Sequence, residues 1–240
     1  MVPDTILGSA RARPHIADAG LSLRGLLRHR QRALWDDDSP IRAELFSVER
    51  LEEHARSLAA AQTVSRLTAK HSSLSGRLSH NESLLIGAYR DVAGDVDAGA
   101  AITPAAEWLI DNFHLVERQI RDIRTDLPPG YYRQLPKLAG GPLAGYPRVL
   151  GVAWAFVAHT DSLFDPEILR RFLRAYQVIQ PLTIGELWAV AITLRIVLVE
   201  NLARIAKRIV GSRAGRSAAD HWADQLLGTE GPVPEPAEAL

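Results

Sequence analysis

Apolar positions recur along much of this chain at intervals of three and four residues, the signature of helices with one buried face. The pattern is clearest where Leu109, Phe113, Val116, Ile120, Ile123 and Leu127 follow one another at four, three, four, three and four. Thr103 is placed to cap that helix, Pro104 suits its first turn, and Pro128-Pro129 ends it, because proline lacks the N–H that continuation needs. Glu107, Asp111, His114, Arg118 and Arg121 keep the same rhythm shifted by two residues, which at about 100° per residue puts them on the opposite, solvated side.

The same reading predicts five further helices. Ser47 caps the first, in which Leu51, His54, Ala55, Leu58, Ala61 and Gln62 share a face. Serines, Gly76 and basic residues from Thr63 to His80 read as a loop, and Asn81 opens the second helix, which ends near Gly99. The helix from Thr103 is the third. Val149 to His159 is the fourth, Asp165-Pro166 starts the fifth, and Pro181 breaks it. Thr183 and Glu186 form a capping box for the sixth, LWAVAITLRIVLVENLARIAKRIV, and a separate amphipathic segment, RSAADHWADQLLG, follows. No stretch alternates with a period of two for long enough to make a sheet. The expected fold is all-α, a multi-helix bundle over residues 39–228. A flexible arm precedes it over residues 1–38, with a short helix near LRGLLRHRQRAL, and a proline- and glutamate-rich tail over 229–240 is expected to be disordered.

Charge and composition narrow the function classes. Lys plus Arg and Asp plus Glu each total 28 in 240 residues, so no whole-chain basic field exists to attract nucleic acid. There are no cysteines, which removes disulfides, thiolate metal ligands and thiol nucleophiles. The N-terminus has apolar residues before its arginines, the reverse of an export signal, so a cytoplasmic location is expected. The most apolar run, from Leu187, is interrupted by Arg195 and closed by Glu200 and Asn201, short of the ~20 residues of a membrane span.

One segment fits no regular element. GYYRQLPKLAGGPLAGYPRV, residues 130–149, joins the third and fourth helices. Tyr131, Tyr132 and Tyr146 could offer flat faces and hydroxyls to a sugar, with Arg133, Lys137 and Arg148 as donors. Equally, the tyrosines could pin an extended crossover onto the bundle, and the residues alone leave both readings open. Elsewhere, His114 with Glu107 and Asp111 has metal-ligand types at helical spacing, but the phase of the helix makes them a solvated stripe, so no metal site is expected. Asn112 flanks the apolar seam, where its amide could bond a neighbouring helix. His159, Thr160 and Asp161 end the fourth helix without the turn or oxyanion hole of a hydrolase, so His159 is expected to cap carbonyls at that helix's C-terminus. On the sixth helix Glu186, Thr193, Glu200, Arg204 and Lys207 mark the polar side. Arg195 projects from the apolar one, so burial is expected for it, with Asp161, Asp111 or crossover carbonyls as partners.

PAAEWLIDNFHLVERQIRDIRTDLPPGYYRQLPKLAGGPLAGYPRVLGVAWAFVAHTDSLFD and QPLTIGELWAVAITLRIVLVENLARIA together resemble the N-terminal region of cyclic β-1,2-glucan synthetases. These are very large bacterial inner-membrane glucosyltransferases with a C-terminal phosphorylase-like module. PIRAELFSVERLEEHARSLAAAQ resembles the segment preceding that region, and the likeness runs over residues 39–228. It implies a helical module of glucan biosynthesis present without its transferase domain, docking on or supporting that transferase and peripheral to the inner membrane through it. The alternative is an autonomous helical adaptor or β-1,2-glucan-binding protein. The aspartate motifs that would hold UDP-glucose and a metal have no counterpart here, so no catalytic residue and no cofactor is carried over. Within the resemblance the Tyr/Pro/Gly stretch is a signature that holds the third and fourth helices in a fixed relation.

Overall fold

A computed structural model describes residues 37–65 and 73–227. The expected arm, its short helix and the tail from residue 229 lie outside the described residues. The rest is all-α: α1 (Val48–Ala61), α2 (Leu74–Asp97), α3 (Pro104–Asp126), the short α4 (Pro129–Gln134), α5 (Arg148–His159), α6 (Pro166–Ile179) and α7 (Ile184–Leu227). One two-stranded antiparallel ribbon accompanies them, β1 (Val64–Ser65) with β2 (Lys137–Leu138), pairing Val64 with Leu138 and Ser65 with Lys137. Two residues per strand are too few to leave a period in the sequence.

The helix starts are set by side chains that accept orphan N–H groups. Thr103 Oγ1 takes the Ala106 N–H at 3.3 Å, and Asp165 Oδ1 takes those of Glu167 and Ile168 at 2.7 and 3.0 Å. The Thr183/Glu186 box closes reciprocally, at 3.2 Å from Glu186 N to Thr183 Oγ1 and 2.9 Å from Thr183 N to Glu186 Oε2. Two boundaries differ from expectation. Helix α2 begins at Leu74, because Ser73 is its cap and Leu74, Leu78 and Leu85 are buried, so the serines around Gly76 lie on its exposed side. Helix α7 runs unbroken for 44 residues, about 66 Å, and absorbs the segment expected to be separate. Gly211 and Gly215 cost it roughly 1 kcal/mol each against alanine without stopping it.

Helix α5 is the centre of the bundle. It is apolar on nearly every side, as a helix surrounded by others must be, and buries Val149, Leu150, Val152, Phe156 and Val157. Helix α7 packs along it and also against α2 and α3, while α1 pairs with α6. Tyr89 of α2 stacks on Phe113 of α3 with centroids 4.4 Å apart. Ahead of α1, residues 37–46 form an extended strap laid over the C-terminal end of α5 and the middle of α7. Ile41 N bonds Asn201 Oδ1 at 2.6 Å, Ala43 N bonds the Ala158 carbonyl at 2.9 Å, and Phe46 N bonds the His159 carbonyl at 3.2 Å.

Close approach decides one glycine. A Cβ at Gly151 would lie 2.8 Å from Gln62 Nε2 and 3.3 Å from Leu138 Cδ1. Swinging Gln62 away would cost the bond its Oε1 accepts from Tyr176 Oη at 2.7 Å. Gly151→Ala is therefore expected to destabilise the fold by about 1–3 kcal/mol, read as a lower urea midpoint at unchanged slope.

Candidate functional site

The crossover is ordered by its own bonds. After Pro128 the chain makes the single turn and a half of α4, then β2, then a tight reversal in which Gly141 and Gly145 adopt φ of 80° and 82°, a region open to glycine. Leu138 N bonds the Tyr146 carbonyl at 2.9 Å, Gly145 N bonds the Leu138 carbonyl at 2.8 Å, and Arg148 N bonds the Pro136 carbonyl at 2.8 Å. Ala139 N reaches the Thr63 carbonyl at 2.8 Å, which ties the loop to the end of α1.

Most of the residues expected to face a sugar are engaged inward. Tyr131 Oη donates to the Gly185 carbonyl at 2.5 Å, linking α4 to the first turn of α7. Lys137 is buried, donates from Nζ to the Tyr132 carbonyl, and lies 4.2 Å from the Tyr132 ring centroid. Burial pushes its ammonium down to about 8 and the Tyr132 phenol well above its usual range. Tyr146 is half-buried against the core. Arg148 is 5 % exposed and all three of its guanidinium nitrogens are hydrogen-bonded. Nε and one NH2 form a fork on Glu186 at 2.8 and 2.6 Å, while the other nitrogen bonds Gln180 Oε1 at 2.6 Å. The Pro181 carbonyl takes a further bond at 3.1 Å. Burial opposes the charged form, but the bonds to the Glu186 carboxylate outweigh it and hold the guanidinium above its ordinary pKa. Arg133 alone of the six is fully on the surface.

Two clefts flank the crossover, both within the size range of small-ligand sites. The first, about 420 Å³, has a floor of Leu74, Leu78, Ile123 and Ile196, a wall of Tyr132, and a rim of Ser73, Arg124 and Arg133. The second, about 570 Å³, lies behind the Gly140-Gly141 reversal and is lined by Leu58, Leu143, Trp154 and Ala158, with Gln62 and His159 at its polar edge. Beyond Tyr131 the outer corner where α6 ends and α7 begins carries exposed Val178, Ile179, Ile184, Leu187 and Trp188, with Val178 and Trp188 each 75 % exposed. Single exposed apolar side chains are ordinary, but five within eleven residues of chain concentrate apolar surface at this corner.

The remaining expectations need several corrections. Asn112 does not reach another helix: its amide bonds the Trp108 carbonyl one turn back at 2.9 Å. His159 does not cap its own helix, since Nδ1 pairs with the Glu44 carbonyl of the strap at 2.7 Å, and Thr160 Oγ1 takes the Phe156 carbonyl instead at 2.8 Å. Asp161 pairs with Arg42 at 3.1 Å. Arg195 is not buried: its side chain is 39 % exposed and its partner is Asp126 at 3.2 Å. Glu107, Asp111 and His114 are exposed, and no group of three His, Asp or Glu side chains suited to a metal occurs among the described residues.

Helix α7 is turned the other way from the sequence reading. Glu186, Thr193, Glu200 and Arg204 are buried, whereas Lys207 is exposed and pairs with Asp38. Glu200 accepts from Arg77 Nε and NH2 at 2.8 and 2.6 Å, from Asn81 Nδ2 at 2.7 Å and from Arg204 Nε at 2.9 Å. Arg204 also donates to the Ser39 carbonyl of the strap at 3.0 Å. Burial alone would raise the Glu200 pKa; the bonds from Arg77, Asn81 and Arg204 outweigh it and hold the carboxyl below its usual value. The sequence signals for these residues were the capping box at Glu186 and the i,i+4 order of Glu200 and Arg204, both of which also occur on solvated helices.

No helix among the described residues is long and apolar enough to cross a membrane. No protein-family model matches the chain. The chain is 42% identical over 192 residues to a protein of Rhizobium meliloti (strain 1021) named cyclic beta-(1,2)-glucan synthase NdvB. The aligned region takes in 80% of this chain and 7% of that protein. The resemblance to cyclic β-1,2-glucan synthetases therefore stands over most of this chain, which spans a small fraction of the relative's length.

Proposed function

We propose that this chain is a helical module of cyclic β-1,2-glucan synthesis that docks on, and supports, the glucosyltransferase portion of a glucan synthase. The observation that carries the reading is the 42% identity over 192 residues to a glucan synthase in which the matched part is only 7% of the polypeptide. Such a stretch has the remainder of that long chain for a neighbour, and an apolar face is what a neighbour covers. The α6–α7 corner, with Ile184 and Trp188 exposed one turn apart, suits that contact. The buried Arg148–Glu186 fork and the Tyr131 bond to Gly185 hold the corner rigid, which lowers the ordering cost of docking. Docked there, the module sits at the cytoplasmic side of the inner membrane through its partner.

The test is to produce the chain together with a glucan synthase from which the matching stretch has been deleted. Co-purification and restored cyclic glucan output are expected, and an Ile184→Glu, Trp188→Glu variant with an unchanged urea midpoint is expected to lose both. A chain that neither co-purifies nor restores glucan overturns the reading. One observation favours a second reading, an autonomous glucan-binding protein: Tyr132 and Arg133 stand together at the 420 Å³ cleft, an aromatic face beside a donor. Saturable heat on titrating linear or cyclic β-1,2-glucans, lost in a folded Tyr132→Ala, Arg133→Ala variant, would select it.

A further inference from the structure

The strap meets the bundle at a stack of rings that the glucan reading does not use. Phe46, the last strap residue before the α1 cap, lies flat on His159 with centroids 4.0 Å apart and planes at 11°. Its edge faces His54 of α1 at 5.4 Å, and the two imidazoles are 4.5 Å apart. The Arg50 guanidinium sits 4.7 Å from the Phe46 centroid. A carbonyl can only accept, so in the 2.7 Å contact with the Glu44 carbonyl His159 Nδ1 carries a proton. Phe46 N in turn donates to the His159 carbonyl, so this one histidine holds the strap from both its backbone and its ring.

We infer that Phe46, His54 and His159 form an acid-sensitive latch, which holds residues 37–46 on the bundle at neutral pH and loosens them when His54 takes up a proton. The charges at this corner leave nothing to neutralise that proton. From the strap, Glu44 is paired with Arg50 at 2.6 Å and Arg42 with Asp161 at 3.1 Å. From α1, Glu49 and Glu52 are drawn to Arg171 of α6 at 3.8 and 2.6 Å, with Arg56 beside Glu52 at 3.7 Å, while Glu53 projects into solvent. A charged His54 therefore adds to the Arg50 cation across the same phenyl ring and faces His159 at 4.5 Å. Of the rings involved, only Phe46 belongs to the strap, and it packs on His54 at 5.4 Å, so lifting the strap lets water reach a charged His54 and lowers the cost of holding that charge.

The direction with pH follows from His54. Burial, with His159 adding to it, holds this imidazole below its ordinary value of 6.5. The latched state thus binds the proton less readily than the open one, so the latch is fully closed above that value and opens as pH falls below it. For one proton the opening equilibrium rises by up to about tenfold per pH unit until the latched pKa is passed.

Backbone amide exchange reads this directly. Protection factors of the Ala43 and Phe46 amides, which bond the Ala158 and His159 carbonyls, would be measured by NMR at pH 7.5 and 5.5 in the full chain and in His54→Gln. The latch requires those two amides to lose up to about tenfold in protection at the lower pH while amides within α5 keep theirs. In His54→Gln the protection would be independent of pH. Protection of the strap that does not change with pH, a loss shared equally by α5, or the same loss in the glutamine variant overturns the inference. Titration of the His54 ring resonances supplies a reading that does not depend on the variant folding, and a midpoint at or above the ordinary histidine value also overturns it.

Discussion

Arg148→Met is expected to destabilise the protein by about 3–5 kcal/mol, enough to consume much of the 5–15 kcal/mol of a typical domain. The cost comes less from the lost fork than from what stays behind, because Glu186 has no exposure and would keep a carboxylate in the core without its cation. Glu186 also accepts from Thr183 N at 2.9 Å, so its removal would undo the start of α7 as well as the ion pair. Glu186→Gln separates the two effects: the amide oxygen can still take the Thr183 N–H, while Arg148 is left as the unbalanced charge. Urea titrations of both single variants and of Arg148→Met/Glu186→Gln form a double-mutant cycle. The double variant is expected to recover at least 1 kcal/mol relative to the sum of the singles, since neither buried charge remains. Additive losses would mean that the fork contributes only shape. The consequence for function is local, because the same fork fixes the turn between α6 and α7 and with it the apolar corner carrying Ile184 and Trp188.

The helices with one wet face were legible in the sequence, and α3 shows why. Its apolar positions from Leu109 to Ile123 are buried, its opposite stripe is exposed, and caps and prolines mark both ends. Helix α7 defeated the same reasoning. Glu186, Thr193, Glu200 and Arg204 line up on one side, and a stripe of charge on a helix ordinarily faces water. What reverses it is compensation from distant elements: Arg148 lies 38 residues from Glu186, and Arg77 lies 123 from Glu200. Periodicity records which residues share a face but not which partners that face meets. The opposite side of α7 then looks too apolar to be outside, yet Ile184 and Trp188 are outside.

The crossover was half legible for a related reason. Prolines and glycines announced a segment that forms no single regular element, and the tyrosines announced that it would be held rather than loose, but the short α4 and β2 inside it left no signal. Whether its donors faced a ligand could not be read, because Tyr131, Lys137 and Arg148 bond the backbone carbonyls of Gly185, Tyr132 and Pro181. Every residue carries a carbonyl, so such acceptors leave no mark in composition or spacing. Asn112 and His159 were misplaced the same way, each bonding a carbonyl that the sequence did not single out.

Glu200→Gln is the second large effect expected, about 3 kcal/mol or more at neutral pH, because Arg204 is buried beside it and Arg77 is half-buried. An acid titration tests the charge itself. The folded Glu200 carboxyl is held below its usual 4.5 by the Arg77, Asn81 and Arg204 bonds that outweigh its burial. A depressed folded pKa gives stability that is fully present above the unfolded value and is lost as pH falls through the folded one. Urea midpoints of the parent chain should therefore fall steeply below about pH 4.5, whereas the glutamine variant, lower throughout, should fall less over the same range. Parallel curves would mean that the carboxylate is no better stabilised in the fold than out of it. This window lies well below the one governed by His54, near its ordinary value of 6.5. Between the two the helical core keeps its charges while the strap is already loosened, so exchange at Ala43 and Phe46 and global unfolding should separate on the pH axis. Arg204 ties them at one point, since it bonds both Glu200 at 2.9 Å and the Ser39 carbonyl at 3.0 Å. In Glu200→Gln that guanidinium loses the anion that fixes it, and protection of the strap should drop even at pH 7.5, where the histidine latch is closed.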